Sequence, residues 1–414
     1  MLQKKDNTPA AQKAGDIGFA EFVSLMALMM GLTALAVDIM LPALGEIGSA
    51  LNVPEPNHRQ FIITYYLFGF AVGQLVFGPL SDRLGRKRPL AAGLIIFAAA
   101  DVVALVTTDA TTLFLSRAAQ GVGAAAPRVI ALAIIRDRYS GRQMSQVMSF
   151  VMMIFVLMPI LAPAIGQTVM QVVIWRGVFA VLLIIALVTL LWSWLRLRET
   201  RGQDQRDIVP VGAALRSVVS SRQTVGYAVT FAFFFGVMMS YIGSAEQIFV
   251  DLYQLGDVFP LVFASVSSAL IVAAFVNSRL VVRYGMRRVS HLALIGFLIA
   301  CAIIALAGFP QRPPLIGFCL FMAATFFCFG LMAPNFNALA MEPMGSVAGT
   351  ASSLIGFYTT AAGACFGALV GQSFDGTVRP LLIGFTILGT LALISTLVTE
   401  RGKLARPSHV PPQT

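Results

Sequence analysis

The positions in this sequence that could do chemistry are charged. Some lie inside two apolar segments, and others form a charged turn beside a third. Asp38 lies within one apolar segment, and Arg117 and Arg128 lie within another. An ionised carboxylate in such surroundings costs several kcal/mol, so Asp38 should either pair with a cation or take up a proton. Residues 78–88 combine an acid, four bases and two glycines between apolar segments, which indicates a tight, charged turn.

Asp38 has a second unusual feature, because Pro42 follows it by four residues. Proline has no N–H group, so the carbonyl of residue 38 loses its helical hydrogen-bond partner. A free carbonyl and a titratable carboxylate therefore meet at one position, which suits a proton or a cationic group. The alternative is a structural acid that caps or pairs without changing its protonation state.

Arg117 and Arg128 share one face of a predicted helix, since a separation of eleven residues leaves them about 20° apart. Arg117 falls at a depth similar to that of Asp38, where it either neutralises the carboxylate for stability or releases it during a conformational change. Arg128 either lines a cavity or extends toward the inner headgroups. Pro127 should kink the helix beside it.

The composition places these residues in a membrane protein. Hydrophobic residues make up 57% of the chain and charged residues 12%, against about 25% charged residues in soluble domains. A helix that crosses the bilayer needs about 20 apolar residues, and twelve segments of the sequence qualify. They are approximately residues 19–41, 60–80, 90–108, 111–134, 144–169, 174–196, 224–245, 258–280, 291–309, 315–340, 348–370 and 380–399.

The order of these segments predicts an all-α membrane protein with twelve transmembrane helices in two pseudo-symmetric six-helix bundles. A weaker copy of the charged turn, residues 279–288, supports duplication, because Gly285 aligns with Gly85. The copy has Val282 where the first turn has Asp82. The predicted regions are an N-terminal tail (1–18), a first bundle (19–196), a linker with a surface helix after residue 210 (197–223), a second bundle (224–399) and a C-terminal tail (400–414).

The positions of the basic residues predict the orientation, because cytoplasmic loops are rich in Lys and Arg. With the N-terminus in the cytoplasm, all but six of the 29 Lys and Arg residues lie on the cytoplasmic side. We therefore expect both termini in the cytoplasm of a cell whose inner (plasma) membrane holds the protein, and we name the ends of each helix inner and outer accordingly. The exceptions are Arg59, Arg176, Arg312 and Arg379 in outer loops and Arg117 and Arg128 within a helix.

Other classes of protein fit the sequence poorly. The net charge of +10 is spread in short clusters between apolar segments, so no nucleic-acid partner is expected. The three His and four Cys residues lack the spacing of a metal site, and no group of side chains has catalytic spacing, so neither a metal, a cofactor nor an enzyme is expected.

Several short motifs resemble the major facilitator superfamily, and in particular its bicyclomycin- and chloramphenicol-resistance exporters. The first charged turn matches the family's turn between helices two and three, and helix four carries an R-x-x-Q-G-x-G segment. The segment after Val37 resembles the D-x-x-L-P-A-L sequence of those exporters, and helix five resembles their antiporter motif except at Gln167. The matching residues are Gly78, Asp82, Arg83, Gly85, Arg86 and Lys87 in the turn, Arg117, Gln120 and Gly121 in helix four, and Pro159, Pro163 and Gly166 in helix five.

The resemblance implies a monomeric, proton-driven exporter of small amphipathic compounds that works by alternating access in the lipid bilayer. Asp38 would carry the proton, Arg117 would modulate it, and Asp82 would latch the inner side against the start of helix eleven. A proton-coupled importer of a metabolite and a non-transporting membrane receptor are the alternatives.

Further polar and aromatic residues are candidates for the substrate cavity, each with a structural alternative in helix packing. Asp101 and Glu246 are more readily interpreted as a structural acid and a loop acid. The cavity candidates are Gln120, Arg128, Tyr227, Phe234, Tyr241 and Asn335.

Overall fold

The computed structural model describes residues 17–200 and 211–405, and its regular structure in these ranges is helical throughout. The helices are α1 (Phe19–Asp38), α2 (Leu44–Ala50), α3 (Phe61–Leu84), α4 (Lys87–Val106), α5 (Ala110–Arg138), α6 (Gly141–Val172), α7 (Arg176–Arg196), α8 (Val211–Ser220), α9 (Arg222–Glu246), α10 (Phe259–Ser267), α11 (Ala269–Tyr284), α12 (Met286–Leu306), α13 (Leu315–Met341), α14 (Ala348–Gln372) and α15 (Arg379–Thr399).

Twelve helical segments of the described residues are long and apolar enough to cross a membrane, which confirms the predicted fold class. We number them as spans. Span one consists of α1 and α2, span eight consists of α10 and α11, and each other span is built on one long helix. A short 3-10 or π segment extends the long helix in spans two, seven and ten, so that span two begins at Pro56. Spans two to six are α3 to α7, span seven is α9, and spans nine to twelve are α12 to α15.

The surface helix predicted after residue 210 is present as α8, which packs against spans seven and eleven. Residues 201–210 of the predicted linker lie outside the described residues, as do most of both predicted tails. The division into two bundles with those boundaries stays a prediction.

Span one breaks where the sequence predicts it. Helix α1 ends at Asp38, a short 3-10 turn covers Leu41–Ala43 with Pro42 at its start, and α2 then continues the span. Because proline cannot donate to the carbonyl of residue 38, the break exposes main-chain polar groups inside the bundle. Such broken helices are found where a membrane protein binds ions or substrates.

The two copies of the charged turn have the same backbone geometry. Gly85 ends span two with a φ of 85°, and Gly285 ends span eight with a φ of 80°. Side chains with a Cβ atom rarely adopt this left-handed region, so glycine lets both helices stop abruptly at the predicted inner surface. The repeat in the sequence is therefore also a repeat in the structure.

Close helix contact explains the glycine spacing in span four. A Cβ atom on Gly121 would lie 2.0 Å from the backbone oxygen of Tyr66 in span two. A Cβ atom on Gly123 would lie 2.5 Å from the backbone nitrogen of Phe97 in span three. Small residues at these positions let three helices approach closely, which is how helices associate in lipid.

We expect Gly121→Ala to lower the melting temperature of the purified protein, because the added methyl group forces spans two and four apart at a cost of about 1–3 kcal/mol. Gly296→Ala is the matched control, since a Cβ there meets no atom within 4 Å. A melting temperature that falls equally in both variants would contradict close packing at Gly121 as the cause.

Candidate functional site

Asp38 is buried at the break in span one, with 3% of its surface exposed. Its Oδ1 atom has no hydrogen-bond partner among the described residues. Span five closes the break, because Gly166 lies so near that a Cβ on it would be 2.3 Å from the backbone oxygen of Ile39. The predicted antiporter motif, with Pro159 and Pro163 inside the same helix, therefore packs against the segment that holds the carboxylate.

Arg117 lies fully buried near this break, but the structure does not pair it with Asp38. Its Nη2 atom donates to the backbone oxygen of Ala36 at 2.8 Å, and its Nε atom donates to that of Ile62 at 3.1 Å. The guanidinium also lies 4.5 Å from the centre of the Tyr66 ring. Arg117 thus holds the end of α1 through the main chain, and no described cation forms an ion pair with the carboxylate of Asp38.

A buried polar chain continues from Arg117 into span three. Arg117 also donates to Oε1 of Gln120, and Nε2 of Gln120 donates to Oδ1 of Asp101 at 2.5 Å. Asp101 is fully buried, and its Oδ2 atom has no hydrogen-bond partner among the described residues. The structural hydrogen-bonding role expected for Asp101 stays a prediction. The sequence motif R-x-x-Q therefore supplies the amide that links a buried cation to a buried acid.

The charged turn forms an ion-pair cluster at the inner end of span two. Arg86 binds Asp82 at 2.6 Å and Asp137 at 2.9 Å. Burial alone would lower the pKa of Arg86, but its bonds to Asp137 and Asp82 outweigh burial and raise that pKa above its ordinary value. The backbone N–H groups of Arg86 and Lys87 donate to the Glu199 carboxylate.

The same turn contacts the second half of the chain at the place that the resemblance implies. The Asp82 carboxylate is close enough to Gly349, in the first turn of span eleven, that a Cβ there would lie 3.6 Å from Oδ2. Gly78 lies against Ser353 one turn further along span eleven. A carboxylate beside a helix N-terminus is stabilised by the exposed N–H groups.

The side chain of Lys87 in the same turn contacts span six. Lys87 lies 4.8 Å from the centre of the Trp194 ring in span six. Arg83 lies in the last turn of span two.

The predicted outer end is closed by contacts that sequence reasoning missed. Gln60 donates to Gln247 and to the backbone oxygen of Gly371, and Arg59 pairs with Glu246 at 3.3 Å and with Asp251. These residues belong to loops and helix ends without periodic spacing, so the sequence contains no pattern from which their contacts could be predicted. Together they connect the start of span two with the outer ends of spans seven and eleven.

Arg128 lies between aromatic rings of two different spans. Its guanidinium is 5.8 Å from the centre of the Phe70 ring in span two and 5.1 Å from that of Phe155 in span five. The side chain is partly exposed. Arg128 is therefore less buried than Arg117, although the two residues are on one face of the helix.

The other cavity candidates are buried among neighbours in this conformation, so their contact with substrate stays a prediction. Tyr227 binds Glu400 and His291, and Asn335 donates to Asn277. Phe234 packs on Phe297 and Phe329, and Tyr241 stacks on Phe263. Among the described residues no group of three or more His, Cys, Asp or Glu side chains could hold a metal ion.

Comparison with known sequences gives a family and several relatives. Residues 22–368 match the family model described as the Major Facilitator Superfamily. A bicyclomycin resistance protein homolog of Haemophilus influenzae is 30% identical over 383 residues, which cover 91% of this chain and 94% of that protein. A chloramphenicol resistance protein of Pseudomonas aeruginosa is 29% identical over 283 residues, covering 66% of this chain and 65% of that protein.

Solved structures show the same fold at lower identity. The Escherichia coli xylose transporter XylE, in a partially occluded inward open conformation, superposes with a TM-score of 0.67 at 14% identity, covering 92% of this chain and 96% of that one. The human organic anion transporter MFSD10 superposes with a TM-score of 0.64 at 18% identity, covering 91% and 98%.

We expect Gln120→Met to lower the free energy of unfolding by about 2–3 kcal/mol, because it removes the one amide that bonds to both Arg117 and Asp101. Thr390→Val is the control, since its exposed hydroxyl bonds only within its own helix in the described structure. Chemical denaturation in detergent micelles measures both. Equal stability of Gln120→Met and the parent protein would show that the amide is not needed.

Proposed function

Because the chain belongs to the major facilitator superfamily, we propose that it is a proton-coupled secondary transporter that exports small amphipathic compounds by alternating access. The observation that carries the proposal is the buried carboxylate of Asp38, unpaired through Oδ1 among the described residues and placed at a helix break. We place the protein in the bacterial inner membrane with both termini in the cytoplasm, as the basic residues predict.

The environment of Asp38 supports proton binding in this conformation. An ionised carboxylate there would have neither a cation nor a full set of hydrogen bonds, and its burial would cost several kcal/mol. A bound proton removes that cost. When the surroundings of Asp38 open to water, hydration lowers the free energy of the ionised carboxylate and the proton leaves. Movement of the helices around the break therefore determines which side of the membrane exchanges protons with Asp38.

Arg117 acts on the proton site by holding the end of α1 in place. Its bond to the backbone oxygen of Ala36 fixes the end of α1 two residues before the carboxylate. The proton-modulating role of Arg117 therefore consists in holding Asp38 at the break, beside Gly166 of span five. A shift of span four or span five would move or uncover the carboxylate.

Contacts at the two ends provide the gates. In this conformation Gln60, Arg59 and their partners hold the outer end closed. Opening toward the outside must break these bonds. The inner latch is the carboxylate of Asp82, which lies beside Gly349 in the first turn of span eleven. Opening toward the cytoplasm must separate these two groups. Alternation between the two sets of contacts gives access to one side at a time.

The relatives favour export of drugs. Two of them are named for resistance to bicyclomycin and chloramphenicol, and others for multidrug resistance. Resistance by a transporter of this family follows from moving the compound out of the cell. The antiporter-like motif in span five, which touches the proton site, fits exchange of a proton for the exported compound.

We expect Asp38→Asn to abolish proton-linked export. The assay begins with a drug-library screen in an efflux-deficient host that overexpresses the protein, and then measures substrate-driven proton movement in everted vesicles. The asparagine side chain does not take up and release a proton at physiological pH, so drug resistance should fall to that of the host without the protein. Asp375→Asn changes an exposed loop acid and should leave transport intact. Unchanged transport by Asp38→Asn would show that the proton carrier lies elsewhere.

We also expect a covalent link across the outer gate to stop transport. In a variant whose four native cysteines are replaced by serine, Gln60→Cys and Gln247→Cys would be joined by a short, cleavable reagent that reacts with two thiols. Transport should cease on linking and return on cleavage, while each single-cysteine variant stays active after the same treatment. Full activity of the linked protein would mean that this end need not open.

A further inference from the structure

Arg128 lies against two spans of the first half that also meet the second half. Span two packs against span eleven, and span five packs against the outer part of span eight. Spans two and five therefore border the interface between the halves. The guanidinium of Arg128 lies against Phe70 of span two and Phe155 of span five, so this cation is held by the two spans that border the interface.

This cation lacks the ion pairs and hydrogen bonds that several other arginines of the described residues have. Arg59, Arg86, Arg196 and Arg287 each pair with carboxylates, and Arg117 donates to three oxygen atoms. Among the described residues Arg128 has neither a carboxylate nor a hydrogen-bond acceptor within bonding distance, and its guanidinium lies over the two rings. Cation–π contact offsets only part of the cost of a charge within a span.

The depth of Arg128 argues against a role at the lipid headgroups. Ten residues separate it from the inner end of span four at Arg138, which corresponds to about 15 Å along the helix. Its guanidinium points between rings instead of toward the inner surface. The charge is therefore held inside the protein, where an anion could neutralise it.

Aromatic side chains of the second half lie at the same level. Phe231 is nine residues from the inner end of span seven at Arg222, or about 14 Å along the helix. Its ring is 6.0 Å from that of Phe235 and 6.3 Å from that of Phe329 in span ten. All three are partly exposed, so they offer an apolar surface at the depth of the cation.

We propose that the compounds carried by this protein are amphipathic anions, whose carboxylate or similar group binds Arg128 and whose apolar body rests on Phe155 and the phenylalanines of spans seven and ten. The proposal deepens the proposed function and rests on it for the direction of movement. A guanidinium binds a carboxylate through two parallel hydrogen bonds, which gives both affinity and orientation.

Direct binding to the purified full-length protein in detergent tests the proposal. The probes are 2-naphthoate, its neutral methyl ester and the cation 2-naphthylmethylammonium, measured by titration calorimetry. We expect 2-naphthoate to bind more tightly than the other two. Arg128→Ala should weaken 2-naphthoate roughly tenfold or more, by loss of charge-assisted bonds, and should change the ester by less than about threefold. Arg128→Lys keeps the charge and should retain part of the preference.

A control variant makes the result specific. Arg312→Ala removes an exposed arginine that lies over Tyr253 at the outer side and should not alter binding. The assay measures binding without transport, so a failure of the proton-carrier assignment appears in the transport experiments and not here. Equal loss of acid and ester binding in a folded Arg128→Ala protein, or no preference for the acid in the parent protein, would overturn the proposal.

Discussion

The guanidinium of Arg117 must satisfy its hydrogen bonds inside the bundle, and the first half of the protein is arranged around that requirement. It donates to the main chain of spans one and two and to Gln120 in its own span, which in turn holds Asp101 in span three. With its donors engaged in this way, Arg117 does not neutralise Asp38. We propose that a proton instead neutralises the carboxylate at the break. On this proposal the structural network and the coupling site both follow from one buried cation.

The two halves share a backbone plan but differ in their charges. Gly85 and Gly285 end their helices with the same left-handed geometry, yet the acid at the first turn is replaced by Val282 in the second. Arg287 of the second turn instead binds Glu342 and Glu400 within its own half. Of the two turns, the first therefore supplies the contact that crosses to the other half. We propose that the inner latch and proton coupling belong to the half that has Asp82 and Asp38.

Much of this organisation follows from the sequence, because lipid imposes simple rules on length and charge. Apolar length gives the twelve spans, and Pro42 gives the break after Asp38. The sequence does not predict which distant helices pack together, because a helix that is apolar all round does not show which face meets which neighbour. The outer gate at Gln60 and Gln247, the amide link through Gln120 and the rings around Arg128 depend on that pairing and therefore appear only in three dimensions.

The protonation state of Asp38 is the central claim, and infrared spectroscopy of the purified protein at neutral pH tests it most directly. A protonated carboxyl group has a C=O stretching band that an ionised carboxylate lacks. We expect this band in the substrate-free protein. The part of the band that comes from Asp38 should disappear in Asp38→Asn and persist in Glu46→Gln. Identical carboxyl bands in the parent protein and Asp38→Asn would contradict it, because Asp38 would then carry no proton in the resting state.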